Sequence, residues 1–213
     1  MAYFPLFLNL RNKQVLIIGE SEAAFQELSR FLAFEANVTI LTESVEQNLL
    51  LMSQAYPDQV RVVEKEVSME NISLLDCAPT LVVCVTGDPK INTEIYAYFQ
   101  ERHVLVEDCS STSRCDFIFP AIVKRGDVVC GISSSGKSPL VAQFVKSLLE
   151  SSLPENISEI NEHMSEIRKA VKQSISDPKK RADTMQAIFY RLLEDDNQTT
   201  DSEIDEIIGE AEL

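Results

Sequence analysis

QVLIIGESEAAFQELSRFLAFE, residues 14–35, changes character at one glycine. Its opening QVLII is a short unbroken apolar run, the pattern of a strand buried on both faces, as parallel strands covered by helices are. Gly19 ends that run. Across residues 22–35, Phe25, Leu28, Phe31 and Leu32 then recur at helical spacing. Strand, glycine turn and amphipathic helix make the first half of a β-α-β unit, and the following sequence repeats the plan. Residues 37–41 (NVTIL), 60–64 and 81–85 (LVVCV) read as further strands, as do 104–106. Helical stretches fill 45–56 and 89–102. Strands alternating with helices of this length predict an α/β fold built on a Rossmann-like parallel sheet.

After about residue 113 the pattern is different. Residues 117–123 (FIFPAIV) and 127–132 (DVVCGI) read as two strands joined by Lys124, Arg125 and Gly126, with no helix between them. Beyond Pro139 only helices are expected, over 140–149, 157–175 and 181–193. Ile157, Ile160, Met164, Ile167 and Val171 mark the apolar stripe of the middle one. The expected organisation is a Rossmann-like domain over 1–113, a small β-rich segment over 114–150, a helical domain over 151–193 and an acidic tail over 194–213.

The chain has 213 residues, of which 45% are hydrophobic and 25% charged, enough for a sizeable core. Its net charge is −15, yet the last twenty residues hold nine acids and no base, so the body before them carries only −6. That balance argues against capture of nucleic acid or anionic lipid, which needs a basic surface. No apolar run approaches the roughly 18 residues of a membrane span. The N-terminal MAYFPLFLNLRNK places its basic residues after the apolar part, the reverse of a secretory signal. A cytoplasmic protein is expected. Its five cysteines are odd in number and lack C-x2-C spacing, so neither a disulfide framework nor a zinc site is expected.

Three segments carry candidate chemistry. The turn GESEAA, residues 19–24, stands where a dinucleotide site has G-x-G-x-x-G/A. That motif needs a tight turn, close backbone approach to the pyrophosphate, and close helix packing. Gly19 and Ala24 meet the first and third demands. Ser21 places a Cβ and hydroxyl where the second wants bare backbone; the same residues also read as an ordinary turn and helix capped by Ser21. Glu43, 24 residues after Gly19, stands where an acid would bond an adenosine ribose. GISSSGKS, residues 131–138, matches the phosphate loop G-x-x-x-x-G-K-S, which opens a nucleotidase reading. The absence of later strands and the following Pro139 argue against it. The segment still offers serines, Lys137 and backbone amides to carboxylates or phosphates, or serves as a helix start with Ser138 as cap and Pro139 at the first helical position. VEDCSSTS, residues 106–113, lies at the carboxyl end of the last parallel strand, the edge where such sheets bind ligands.

These segments, with YFPLFLNL (3–10), VLIIG (15–19), VTIL (38–41), VTGDP (85–89) followed by Asn92, CDFIFPAIV (115–123) with Arg125 and Gly126, and ISSSGKSPL (132–140), together resemble one family. It is the siroheme synthase N-terminal module, the precorrin-2 dehydrogenases, which are often also sirohydrochlorin ferrochelatases. The resemblance covers residues 1–150, suits the helical remainder, and makes the phosphate-loop match accidental. It implies NAD-dependent removal of hydride from precorrin-2, giving sirohydrochlorin, on a homodimer whose second segment exchanges elements between subunits. By position, NAD contacts fall on Gly19, Glu20, Ser21, Glu22 and Ala23, on Glu43 and Ser44, and on Thr86. The family's catalytic aspartate falls on Ser110, with Asp108 two residues upstream on the same face of an extended segment, and the resemblance implies that Ser110 or Asp108 assists proton loss from the substrate. Ser134, Ser135 and Lys137 would hold the substrate's carboxylates, and Ser134 matches a position that is phosphorylatable in some members. Glu20 and Ser21 replace two glycines of the family's turn, and Glu20 brings negative charge towards a pyrophosphate. A second reading of the same resemblance is a member that binds or hands on a tetrapyrrole without NAD chemistry.

Overall fold

β1 (Gln14–Gly19) is the middle strand of a five-stranded, wholly parallel sheet. The order is β3-β2-β1-β4-β5, with β2 (Asn37–Thr42), β3 (Val60–Glu64), β4 (Leu81–Val85) and β5 (Leu105–Asp108). The structure, a computed structural model, describes residues 3–212. The described chain divides into two compact units, residues 3–119 and 120–212. In the first, α1 (Ser21–Leu32) follows β1, α2 (Gln47–Ala55) follows β2, and α4 (Pro89–Gln100) follows β4.

Strand periodicity explains the two cores. Val15 and Ile17 point to one face of the sheet, where they pack with Ala24, Leu28 and Phe31 of α1 and Leu49 of α2. Leu16 and Ile18 point to the other, among Ile72, Ile95 and Phe99. Each such side chain contributes about 1.5–3 kcal/mol when fully removed from water. An unbroken apolar run was therefore the correct signature of β1. A short helix not expected from the sequence, α3 (Met69–Ser73), lies between β3 and β4 and is capped by Ser68, whose hydroxyl accepts from Asn71 N at 3.3 Å.

The strand expected over 117–123 is only partly there. Phe117 and Phe119 pack instead against the α1 side of the sheet, Phe119 edge-on to Phe31 at 5.6 Å and beneath the Arg30 guanidinium at 4.9 Å. The first unit thus continues to Phe119. Burial of two aromatic rings outweighs the ladder that Phe117 and Phe119 would have made.

In the second unit, β6 (Ala121–Arg125) and β7 (Val128–Ile132) form an antiparallel ribbon closed at Gly126, whose φ is +56°. The Arg125 guanidinium donates to the carbonyls of Glu150 at 2.7 Å, Pro154 at 2.6 Å and Leu153, satisfying carbonyls at the end of α5 (Pro139–Ser152). α6 (Ile157–Ser174), α7 (Pro178–Glu194) and α8 (Asp201–Glu212) complete the unit. α8 corrects the expectation of an acidic tail over 194–213. Ile204 and Ile208 are 3% and 5% exposed in a core shared with Ile160, Ile167, Val171, Ile188 and Leu192. Its start is a capping box: Thr200 N donates to Glu203 Oε2 at 2.8 Å and Glu203 N to Thr200 Oγ1 at 3.4 Å. No described helix is long and apolar enough to cross a membrane.

Candidate functional site

The strand order reverses direction of growth between β1 and β4, and ligands of open α/β sheets bind in the crevice outside the carboxyl ends of such strands. Gly19 and Val85 are paired there. Gly19 has φ +142°, and a Cβ on it would fall inside the Val85 carbonyl. The chain can turn into α1 this close to β4 only with glycine. Glu20 N donates to Val85 O at 3.0 Å and Ala24 N to Glu20 O at 2.8 Å. Among the described residues this leaves the amides of Ser21, Glu22 and Ala23 without an intrahelical acceptor, the arrangement that binds anions at a helix N-terminus.

Ser21 is placed differently from the sequence expectation. It is buried, and its hydroxyl accepts from Glu46 N at 3.0 Å, so it points to the loop after β2 and away from the crevice. It is not the cap either: that position is Glu20, whose side chain makes no capping bond. The carboxylate of Glu20 instead lies over the loop after β4, where a Cβ on Gly87 would come within 2.7 Å of Glu20 Oε1. Glu20 is exposed and free to turn outwards. The first turn therefore fits a dinucleotide's pyrophosphate once that one side chain moves. A Glu20→Gly variant is expected to bind NAD about fivefold more tightly by calorimetry, since one carboxylate near one phosphate charge is worth about 1 kcal/mol even in water. Glu43 and Ser44 lie exposed just past β2, Glu43 accepting from Val67 N at 3.3 Å and the Ser44 carbonyl from Thr42 Oγ1 at 3.0 Å.

From Thr86, the residue after β4, a hydrogen-bonded chain runs across to β5. Thr86 Oγ1 donates to Asn92 Oδ1 at 2.6 Å. Asn92 Nδ2 donates to Asp108 Oδ1 at 2.9 Å and to Ser110 Oγ at 3.2 Å. Asp108 Oδ1 also accepts from Ser110 Oγ at 2.6 Å and Ser110 N at 2.9 Å, while Oδ2 accepts from Arg114 Nε at 2.6 Å. Asp108 and Asn92 are each 1% exposed; Ser110 is exposed. Burial alone would raise the Asp108 pKa, but the bonds from Ser110 and Arg114 outweigh it and hold the carboxyl below its usual range.

This geometry corrects the expectation that Asp108 assists by taking a proton from substrate. Both its oxygens are engaged, it is sealed from the crevice, and its depressed pKa makes it a poor base. It acts on Ser110, whose proton it holds, leaving an outward lone pair on Oγ. Two members of the network were missed as site residues. Asn92 was legible as a polar residue in line with Ile95 and Phe99 on the buried face of α4. Arg114, on the 3-10 turn Thr112–Arg114, gave no sequence signal.

In the second unit Ser134, Ser135 and Lys137 occupy the turn before α5. Ser134 Oγ accepts from Ser138 N at 3.1 Å, which leaves its own proton to donate outwards. Ser135 and Gly136 have φ of 56° and 75°. Lys137 is exposed and has no ion pair among the described residues. Ser138 caps α5 by accepting from Val141 N at 3.4 Å, with Pro139 at the first helical position. The nucleotidase reading does not survive, because the strand before this turn belongs to a two-stranded antiparallel ribbon and not to a parallel sheet. Among the described residues no three His, Cys, Asp or Glu side chains gather as a metal site. His103 lies in the turn after α4 with φ 57°.

Residues 6–121 match a family model described as "Putative NAD(P)-binding". The siroheme synthase of Blochmanniella floridana is 32% identical over 190 residues, 89% of this chain and 40% of that protein. The siroheme synthase of Nitrosococcus oceani is 28% identical over 176 residues, 83% of this chain and 36% of that protein. The chain thus spans about two fifths of the length of these relatives. Among solved structures, one described as "SirC, precorrin-2 dehydrogenase" superposes with a TM-score of 0.69 at 23% identity, covering 99% of both chains; at that identity the likeness speaks for the fold. With an anion-ready first turn at the switch point and a family model matched over more than half of its length, the chain belongs to the family described as putative NAD(P)-binding.

Proposed function

We propose that this chain dehydrogenates precorrin-2 to sirohydrochlorin with NAD as hydride acceptor, releasing NADH and a proton, in the cytoplasm. The observation that carries the reading is the Thr86–Asn92–Asp108–Ser110 network, which begins beside the Gly19 turn and ends on an exposed hydroxyl. NAD, when bound, supplies the hydride acceptor. The amides of Ser21, Glu22 and Ala23 would hold its pyrophosphate, with Glu43, Ser44 and Thr86 as its further contacts. Ser110 Oγ, its own proton committed to Asp108, assists proton loss by accepting a hydrogen bond from a solvent water that takes the proton leaving the ring carbon; Asp108 and Asn92 are positioning residues. Ser134, Ser135 and Lys137 hold peripheral carboxylates by donation. The test is anaerobic incubation with precorrin-2 and NAD, read by NADH formation and the absorbance of sirohydrochlorin. Ser110→Ala is expected to lower kcat by about 10²-fold with KM little changed, as loss of the group that orients the proton acceptor does. An unchanged kcat would remove Ser110 from the chemistry.

We also propose that the working form is a homodimer joined through α5. Leu140, Val141, Phe144 and Leu148 share one stripe of that helix, and Leu140 and Phe144 are 81% and 65% exposed. A helix with no buried residue and an apolar stripe is stable when a partner covers it. Phe144→Asp is expected to give a monomer by light scattering at concentrations where the unaltered chain is dimeric.

A further inference from the structure

Charge is unevenly spread in the second unit. Residues 168–181 carry Arg168, Lys169, Lys172, Lys179, Lys180 and Arg181 against a single acid, Asp177, in a chain whose net charge is −15. Three of these cations meet at a cavity of about 510 Å³ between the end of α6 and the start of α7. Val171, Ala182 and Met185 line its wall, and Arg168, Lys172 and Arg181 stand around it. The spacing places them so: 168, 171 and 172 share one face of α6, as 181, 182 and 185 do of α7.

Arg168 and Lys172 make no hydrogen bond or ion pair among the described residues. Arg181 feels the Asp177 carboxylate, but that carboxylate is committed to the helix start, accepting from Lys179 N at 2.7 Å and Lys180 N at 2.9 Å. Lys169, next to the cluster, pairs with Glu166 at 2.8 Å and keeps that acid away. Cations held together on two helices with no neutralising partner repel one another, and an anion relieves that repulsion. An apolar wall behind them is of no use to a hydrated inorganic ion. It suits a ligand with an apolar body and several carboxylates at its edge.

We propose that this cavity binds a polycarboxylate on a flat apolar body, separately from the crevice at the sheet's edge. Carboxylates pair with Arg168, Lys172 and Arg181, the first and last able to bind bidentately. The ligand's body lies on Val171, Ala182 and Met185. Tetrapyrroles bearing peripheral carboxylates are in this class, and in naming them the inference rests on the function proposed above. The site would then hold such a pigment outside the catalytic crevice.

The test is a titration of the full chain with uroporphyrin, an octacarboxylate tetrapyrrole, followed by porphyrin absorbance and fluorescence. Arg168→Glu with Lys172→Glu is expected to weaken one binding event by at least about tenfold, while Lys137→Ala leaves that event intact. Ala182→Trp, which fills the cavity without changing charge, is expected to do the same as the charge reversal. Citrate, which has the carboxylates without the apolar body, is expected to compete poorly. Unaltered binding in both the double variant and Ala182→Trp overturns the proposal, as does displacement by citrate at equal concentration. Precorrin-2 turnover is measured alongside: its absence in the unaltered chain defeats the dehydrogenase reading, whereas turnover with no cavity-dependent binding defeats this inference alone.

Discussion

Gly19→Ala is expected to destabilise the first unit by about 3 kcal/mol or more and to abolish NAD binding. Gly19 sits at φ +142°, a backbone state that residues with a Cβ rarely adopt. The added methyl would meet backbone atoms of Val85 and Thr86, which cannot swing aside as a side chain does. Relief requires β1 and β4 to separate at their carboxyl ends, and Val15, Leu16, Ile17 and Ile18 are buried in that same strand. Separation also moves the amides of Ser21 to Ala23 off their common focus. Thermal unfolding and NAD calorimetry on the variant check both effects. A variant with unchanged melting and affinity would mean that the turn is looser than described.

Asp108→Asn is the second large effect, and it is chiefly one of stability. The buried carboxylate accepts from Asn92, twice from Ser110 and once from Arg114. An amide is isosteric but turns one acceptor into a donor, which must then face Arg114 or the Asn92–Ser110 pair. Arg114 is left without its counter-charge while its side chain is only 22% exposed. The expected loss is about 2–4 kcal/mol, seen as a Tm lower by roughly 5–10 °C. The pH dependence has a definite sign. A carboxyl whose folded pKa lies below its unfolded value of about 3.9 adds stability above that pH, and the contribution is lost as pH falls through the folded pKa. The difference in stability between the unaltered chain and the variant should therefore be constant from pH 5 to 8, as ordinary pKa values of about 4 imply, and shrink in stronger acid. Activity should fall with it, through Ser110 losing its acceptor.

The parallel sheet was readable because β1 and β4 are buried on both faces and therefore wear no alternation. The second unit's helices were readable because their stripes keep helical spacing. α8 is hidden by acids: the nine carboxylates of residues 194–213, six of them in α8, suggest a solvated tail, though Ile204 and Ile208 stand four apart behind a Thr200-to-Glu203 capping box. At the site, Gly19 declared itself, since a tight turn between a buried strand and a helix admits little else. The orientation of the Ser21 hydroxyl is not legible, because sequence gives a residue's place in a motif but not its rotamer; the hydroxyl turns to Glu46. The roles of Asp108 and Ser110 depended on Asn92 and Arg114, which reach them from α4 and a 3-10 turn. Contacts of that kind have no local pattern to announce them.

The central claim is that the turn after β1 still seats a dinucleotide despite Glu20. Because the chain has no tryptophan, calorimetric titration of NAD into the purified protein is the direct measurement. Saturable binding of one NAD per chain, tightened in Glu20→Gly, is the predicted result. No heat of binding in either protein, with both folded, would contradict the account.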